Sequence, residues 1–153
     1  MNTNKILPGI GFDKIRFGST RDQISILLGD PDEAVLNNDE DGETETWHYD
    51  DLDLSLLFDC EEDCRLTALS ITSVDYSLNG KVLIDVRLTQ LYHELDQMGY
   101  DDIDTEDISV DDESDMLMVS VDEVAVNFWI EDDMVKEIQW AVLLNENQEI
   151  CWP

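Results

Sequence analysis

Basic residues are scarce in this sequence: 8 Lys and Arg stand against 38 Asp and Glu in 153 residues, a formal charge of −30. A chain with so few cations and no basic cluster is repelled by phosphate backbones and anionic membranes, which argues against direct nucleic-acid or lipid-surface binding. Its plausible macromolecular partners are basic. Long apolar runs are also missing: no stretch approaches the ~20 residues of a membrane span, and MNTNKILPGIGF has no signal-peptide pattern. Three cysteines, an odd number without an export signal, read as reduced thiols in a cytoplasmic protein.

The usual catalytic signatures are lacking as well. There is no Gly-rich phosphate loop, no G-x-S-x-G elbow and no H-E-x-x-H. The two histidines, His48 and His93, read as structural or solvent-exposed. Carboxylates are so abundant that no particular pair signals acid–base chemistry. Cys60 and Cys64 form a C-x₃-C without a second pair, poor ground for structural zinc. Asn37-x-Asp39-x-Asp41-Gly42 opens like a calcium loop but places Thr44 where an apolar residue belongs and His48 where a bidentate Glu belongs. The expectation is a non-enzyme with no cofactor and no dedicated metal.

What is present is a globular composition. At 42% hydrophobic, with four each of Trp, Tyr and Phe and only three Pro, the chain has the material for a core. A folded chain of this length buries roughly 68–70% of its unfolded surface.

An internal repeat organises the rest. A shift of 71 lays Leu7-Pro8-Gly9 on Leu78-Asn79-Gly80, Ile15-Arg16-Phe17 on Val86-Arg87-Leu88, and Ile24 and Leu27 on Leu95 and Met98. A shift of 72 lays Trp47, Tyr49, Leu52, Leu54, Leu56 and Phe58 on Val119, Val121, Val124, Val126, Phe128 and Ile130. After a shorter loop in the second copy, Leu66, Leu69 and Ile71 match Val135, Ile138 and Trp140. Each copy predicts a short helix followed by a three-stranded meander.

The first helix has Ser19 or Thr20 as N-cap, a Thr-x-x-Gln capping box closed by Gln23, an apolar face of Ile24, Leu27 and Leu28, and Gly29 as its stop. The second has Thr89 as cap, Leu91, Leu95 and Met98 as its face, and Gly99. Period-two alternation predicts strands joined by two-residue turns at Asp50-Asp51 and Asp122-Glu123. The fold class is α+β: two tandem helix-plus-antiparallel-meander units, residues 1–75 and 76–153, with their sheets joined into one concave surface.

The run Ile15-Arg16-Phe17-Gly18-Ser19-Thr20, the later Leu28-Gly29-Asp30-Pro31 and then Trp47-His48-Tyr49 resemble the small outer-membrane lipoprotein family SmpA/OmlA over residues 15–71. Two such units in tandem resemble the β-lactamase-inhibitor-like architecture. That resemblance implies a broad sheet that binds other proteins. The lipoprotein role is not carried over, since no lipid-bearing cysteine stands near the start, and the second copy lacks the glycine after Leu88 and the proline after Gly99.

The charge repeats with the fold. Residues 22–64 and residues 88–135 each hold sixteen acids and no base. Both blocks are densest in the connector from helix to sheet. The expected partner-binding residues are therefore Asp39, Asp41 and Glu43 in the first copy and Asp101, Asp102, Asp104, Glu106, Asp107, Asp111 and Asp112 in the second. Exposed Tyr100 and Trp152 are the expected aromatic anchors. The functional expectation is an immunity or inhibitor protein that neutralises a basic toxin or nuclease by covering its substrate face. The competing readings are a salt-adapted or housekeeping domain without a dedicated partner, and an envelope-factor relative without its anchor.

Overall fold

The computed structural model describes residues 4–40, 42–109 and 115–153. In chain order it runs β1 (Asn4–Leu7), β2 (Gly11–Phe12), β3 (Ile15–Arg16), α1 (Arg21–Leu28), β4 (Glu33–Asp39), β5 (Gly42–Tyr49), β6 (Leu54–Asp59) and β7 (Arg65–Ile71). Then come β8 (Tyr76–Leu78), α2 (Leu88–Gln97), β9 (Ile103–Asp107), β10 (Met116–Val121), β11 (Val126–Glu131), β12 (Met134–Ala141), β13 (Leu143–Leu144) and β14 (Ile150–Cys151). The fold is α+β, with two helices, an eight-stranded antiparallel sheet and a small mixed sheet.

The large sheet has the order β4-β5-β6-β7-β12-β11-β10-β9. Each run of four is a meander, and the two meet where β7 and β12 pair antiparallel, Ser70 opposite Gln139. The alternation read from the sequence lays one face against the core: Trp47, Leu56, Phe58, Leu69, Ile71, Val119, Phe128, Ile138 and Trp140 are all buried. Ile24 of α1 and Leu91 and Leu95 of α2 join this core, as do Ile6, Phe12, Tyr76 and Leu78 of the small sheet. The small sheet, β3-β2-β1-β8, is tied to the large one by the Trp140 indole N–H, which donates to the Gly11 carbonyl at 3.0 Å. Burying this many aliphatic and aromatic side chains, each worth about 1.5–3 kcal/mol, drives one face of the sheet inward and leaves the other uncovered.

Local chemistry matches the first helix closely. Thr20 accepts from the Gln23 N–H and Gln23 Oε1 accepts from the Thr20 N–H, the reciprocal capping box. Gly29 ends the helix with φ 82°. Of the expected apolar face, Ile24 is buried but Leu27 is 45% exposed, because a helix of only two turns presents little more than one residue per turn to the sheet.

Four expectations need correction. The acidic connectors are strands, not loops: they form β4 and β9, so each meander has four strands rather than three. The hairpin turns are longer than two residues. A 3₁₀ turn, Asp50–Leu52 or Asp122–Val124, precedes a left-handed residue, Asp53 or Ala125, which moves the next strand's start to Leu54 and Val126. Thr89 does not cap α2. The helix begins at Leu88, whose N–H donates to the Asp133 carbonyl, so a tertiary partner replaces the side-chain cap. Finally, Cys60 and Cys64 are joined as a disulfide rather than reduced. The 3₁₀ turn Cys60–Glu62 and the left-handed Asp63 and Cys64 fold the loop back on itself and bring the two sulfurs together. Cys151 is a free, exposed thiol.

Candidate functional site

The face of the large sheet turned away from both helices is the feature that could meet a partner. Its side chains follow from the register: Thr46 and His48 of β5, Ser55 and Leu57 of β6, Ala68 and Ser70 of β7. Across the joint stand Gln139 and Glu137 of β12, Asn127 and Trp129 of β11, and Met118 and Ser120 of β10. All are half-buried, covered by their neighbours on the pleat rather than by another layer. In a chain of charge −30 these twelve residues hold one carboxylate, Glu137, and no Lys or Arg; the same alternation brings Asp59 and Glu131 onto this face at the ends of β6 and β11.

Among the described residues, three cavities lie along this face. The largest, of ≈ 360 Å³, is lined by His48, Asp53, Ser55, Ser70, Thr72 and Glu137, among others. A second, of ≈ 200 Å³, shares Thr72 and Glu137 with it and adds Met116 and Trp129. The third, of ≈ 120 Å³, lies over Thr46, Leu57, Ala68 and Gln139 and shares Ser55 and Ser70 with the first. The three therefore form one trough over the joint between the meanders.

Cross-strand bonds hold its walls. His48 Nδ1 and Ser55 Oγ, directly opposite one another, are 2.8 Å apart, and the Trp129 indole N–H donates to Gln139 Oε1 at 3.3 Å. Glu137 is different. Among the described residues its carboxylate accepts no hydrogen bond and enters no ion pair.

The expected site residues fall at the margins of this face. Asp39 ends β4, and Asp104 and Glu106 lie on β9 with their side chains on the open-face parity, opposite Ser120 and Met118. Seven strand spacings of about 4.8 Å, roughly 34 Å in all, separate β4 from β9, so the two acidic groups are not one patch. Glu43 lies on β5 opposite Asn38, and Asp101 and Asp102 are exposed just before β9. Asp107 is exposed, and the Ser109 main-chain N–H donating to its carboxylate at 2.9 Å holds its pKa below the usual value. Asp41, Asp111 and Asp112 lie outside the described residues.

Neither aromatic anchor is free. Tyr100 is half-buried against the core, and Trp152 is half-buried with the Arg65 guanidinium 5.6 Å above its ring. The sequence reading missed Trp129, Glu137, Ser70 and Gln139. A signal existed: Met116, Met118 and Trp129 occupy the parity that an outward face normally gives to polar residues. No known protein family, curated protein or solved structure matches this chain.

Proposed function

We propose that this chain is a non-enzymatic protein-binding module of the inhibitor or immunity type, which neutralises a basic toxin or nuclease by covering its substrate face. The observation that supports this best is the open face of the eight-stranded sheet, a floor of mostly uncharged side chains with a trough along it, flanked on both sides by acidic edge strands. Neutral, partly apolar centres with charged margins are the arrangement that gives an interface both burial and steering: the floor excludes water while the rim speeds encounter with a cationic partner.

We further read the chain as two tandem copies of one unit whose sheets join into a single binding surface. Several irregularities recur at the shifts that align the copies. Bulges lie between Leu57 and Phe58 and between Trp129 and Ile130, and the left-handed turns at Asp53 and Ala125 have φ of 48° and 54°. The pair Ser70–Gln139 at the joint consists of equivalent positions, as a two-fold relation between the copies requires.

The test is affinity capture from the native host, with the product of the adjacent reading frame included, followed by an activity assay of whatever basic protein is retained. The expected result is a basic nuclease or other toxin inhibited at one-to-one stoichiometry, with Ser70→Trp in the middle of the floor abolishing inhibition. Retention of a basic protein whose activity is untouched, or inhibition indifferent to Ser70→Trp in a folded variant, sinks the reading. A salt titration separates the rival: stability that climbs steadily to molar KCl from a poorly folded state in dilute buffer assigns the charge to salt adaptation.

A further inference from the structure

Glu137 stands alone. It is half-buried on β12 and lines both larger cavities, whose other charged residues are Asp50 and Asp53 in one and Glu131 and Lys136 in the other, and no described group neutralises it. The one lysine among its cavity neighbours, Lys136, turns instead to Asp85, with Nζ–Oδ1 3.5 Å. The position equivalent to Glu137 in the first copy is Ala68, so the strand does not require an acid there.

We propose that Glu137, Trp129 and the hydroxyls of Ser70 and Thr72 form a receptor for a guanidinium group, the side chain of an arginine presented by a partner. The proposal rests on the protein-binding reading above and names the chemistry of its central contact. A guanidinium is planar, with five donors in a fixed fork. A carboxylate meets two of them in parallel, and the serine and threonine oxygens accept others. Trp129 lies opposite Glu137 on the adjacent strand, so its ring flanks the same site, and an aromatic face beside the carboxylate favours a flat, weakly hydrated cation over the compact ammonium of lysine. Asp53 and Asp50 close the far end of the larger cavity and add negative potential there. A metal ion is a poorer occupant, since among the described residues no three His, Cys, Asp or Glu side chains converge closely enough to hold one.

The experiment titrates the full-length chain, ¹⁵N-labelled, with L-argininamide and, in parallel, with L-lysinamide at matched ionic strength. Saturable shifts confined to the Trp129 indole N–H and the amides of Ser70, Thr72 and Glu137 are expected, with lysinamide weaker. Glu137→Gln, which keeps the shape, weakens argininamide about tenfold, the loss of a charge-assisted pair. Trp129→Leu weakens it less and erases the preference over lysinamide. The double variant Asp22→Asn, Asp96→Asn, which removes exposed carboxylates from the two helices on the other side of the sheet, leaves the titration unchanged. Shifts spread over β4 and β9, or a titration indifferent to Glu137→Gln in a variant whose spectrum is otherwise native, overturn the proposal in favour of bulk charge attraction. No partner is needed for this measurement, so its failure removes the receptor without touching the capture result, and the converse holds equally.

Discussion

At the scale of single residues, two tyrosines join the core to the main chain. Tyr49 and Tyr76 are buried, and their hydroxyls donate to the carbonyls of Gly29 and Leu52. Burial pushes both phenols up to about 12; the carboxylates of Asp30 and Asp32 add to this at Tyr49, and those of Asp53 and Asp75 at Tyr76, where a hydrogen bond with Asn4 works the other way. A raised acid pKa means that the folded state holds its proton longer than the unfolded chain. The stability tied to these phenols is thus fully present below pH 10 and lost as pH rises toward 12. Urea midpoints should fall steeply across that window in the parent, and less steeply in Tyr76→Phe; parallel curves would refute the assignment. Residue identity alone reveals such roles unevenly. Trp140 and Trp47 are both buried, yet the indole of one bonds Gly11 and that of the other has no partner among the described residues. The partner lies 129 positions away, where no local pattern reaches. Among the described residues six aspartates have positive φ, such as Asp53 and Asp132, a use that suits Asp because a short polar side chain tolerates the left-handed region.

Individual elements were legible to the extent that their determinants are local. The capping box of α1 is four adjacent residues and appears as read, whereas the start of α2 depends on Asp133, in the turn between β11 and β12. This difference is measurable. Thr20→Ala should cost about 1 kcal/mol in urea denaturation, while Thr89→Ala should stay within about 0.5 kcal/mol; equal losses would contradict the described caps. The connectors were misread for a related reason. Glu33–Asp39 and Ile103–Asp107 lack a buried face, so no hydrophobic alternation marks them. They are strands because β5 and β10 each offer an unpaired ladder beside them. Leu52 and Val124 pack against the core from their turns, and so imitate strand residues in the alternation.

On the scale of the whole molecule, placing acids on both edge strands has a protective effect besides any steering. A sheet edge is a template for another sheet, and like charges at both ends discourage two copies from pairing edge to edge. The sequence pattern anticipates two meanders and repeated charge. It does not show that the acids end up on opposite margins or that the uncharged positions gather into one floor, because both depend on which strands meet at the joint. That joint also governs how the molecule assembles. Every other pairing in the large sheet links consecutive strands, but β7 and β12 bring residues 68–71 to 138–141, closing about 70 residues of chain before any bond there is made. The hairpins can form early and separately, and the seam is the slow, non-local step. In pulsed hydrogen exchange during refolding, the amides of Ser70 and Gln139 should gain protection after those of Leu56 and Phe128. Simultaneous protection would mean that the two halves are never independent. With the seam closing last, the trough over it comes into being only at that final step, so that a chain caught half-folded holds its charge but not its binding surface.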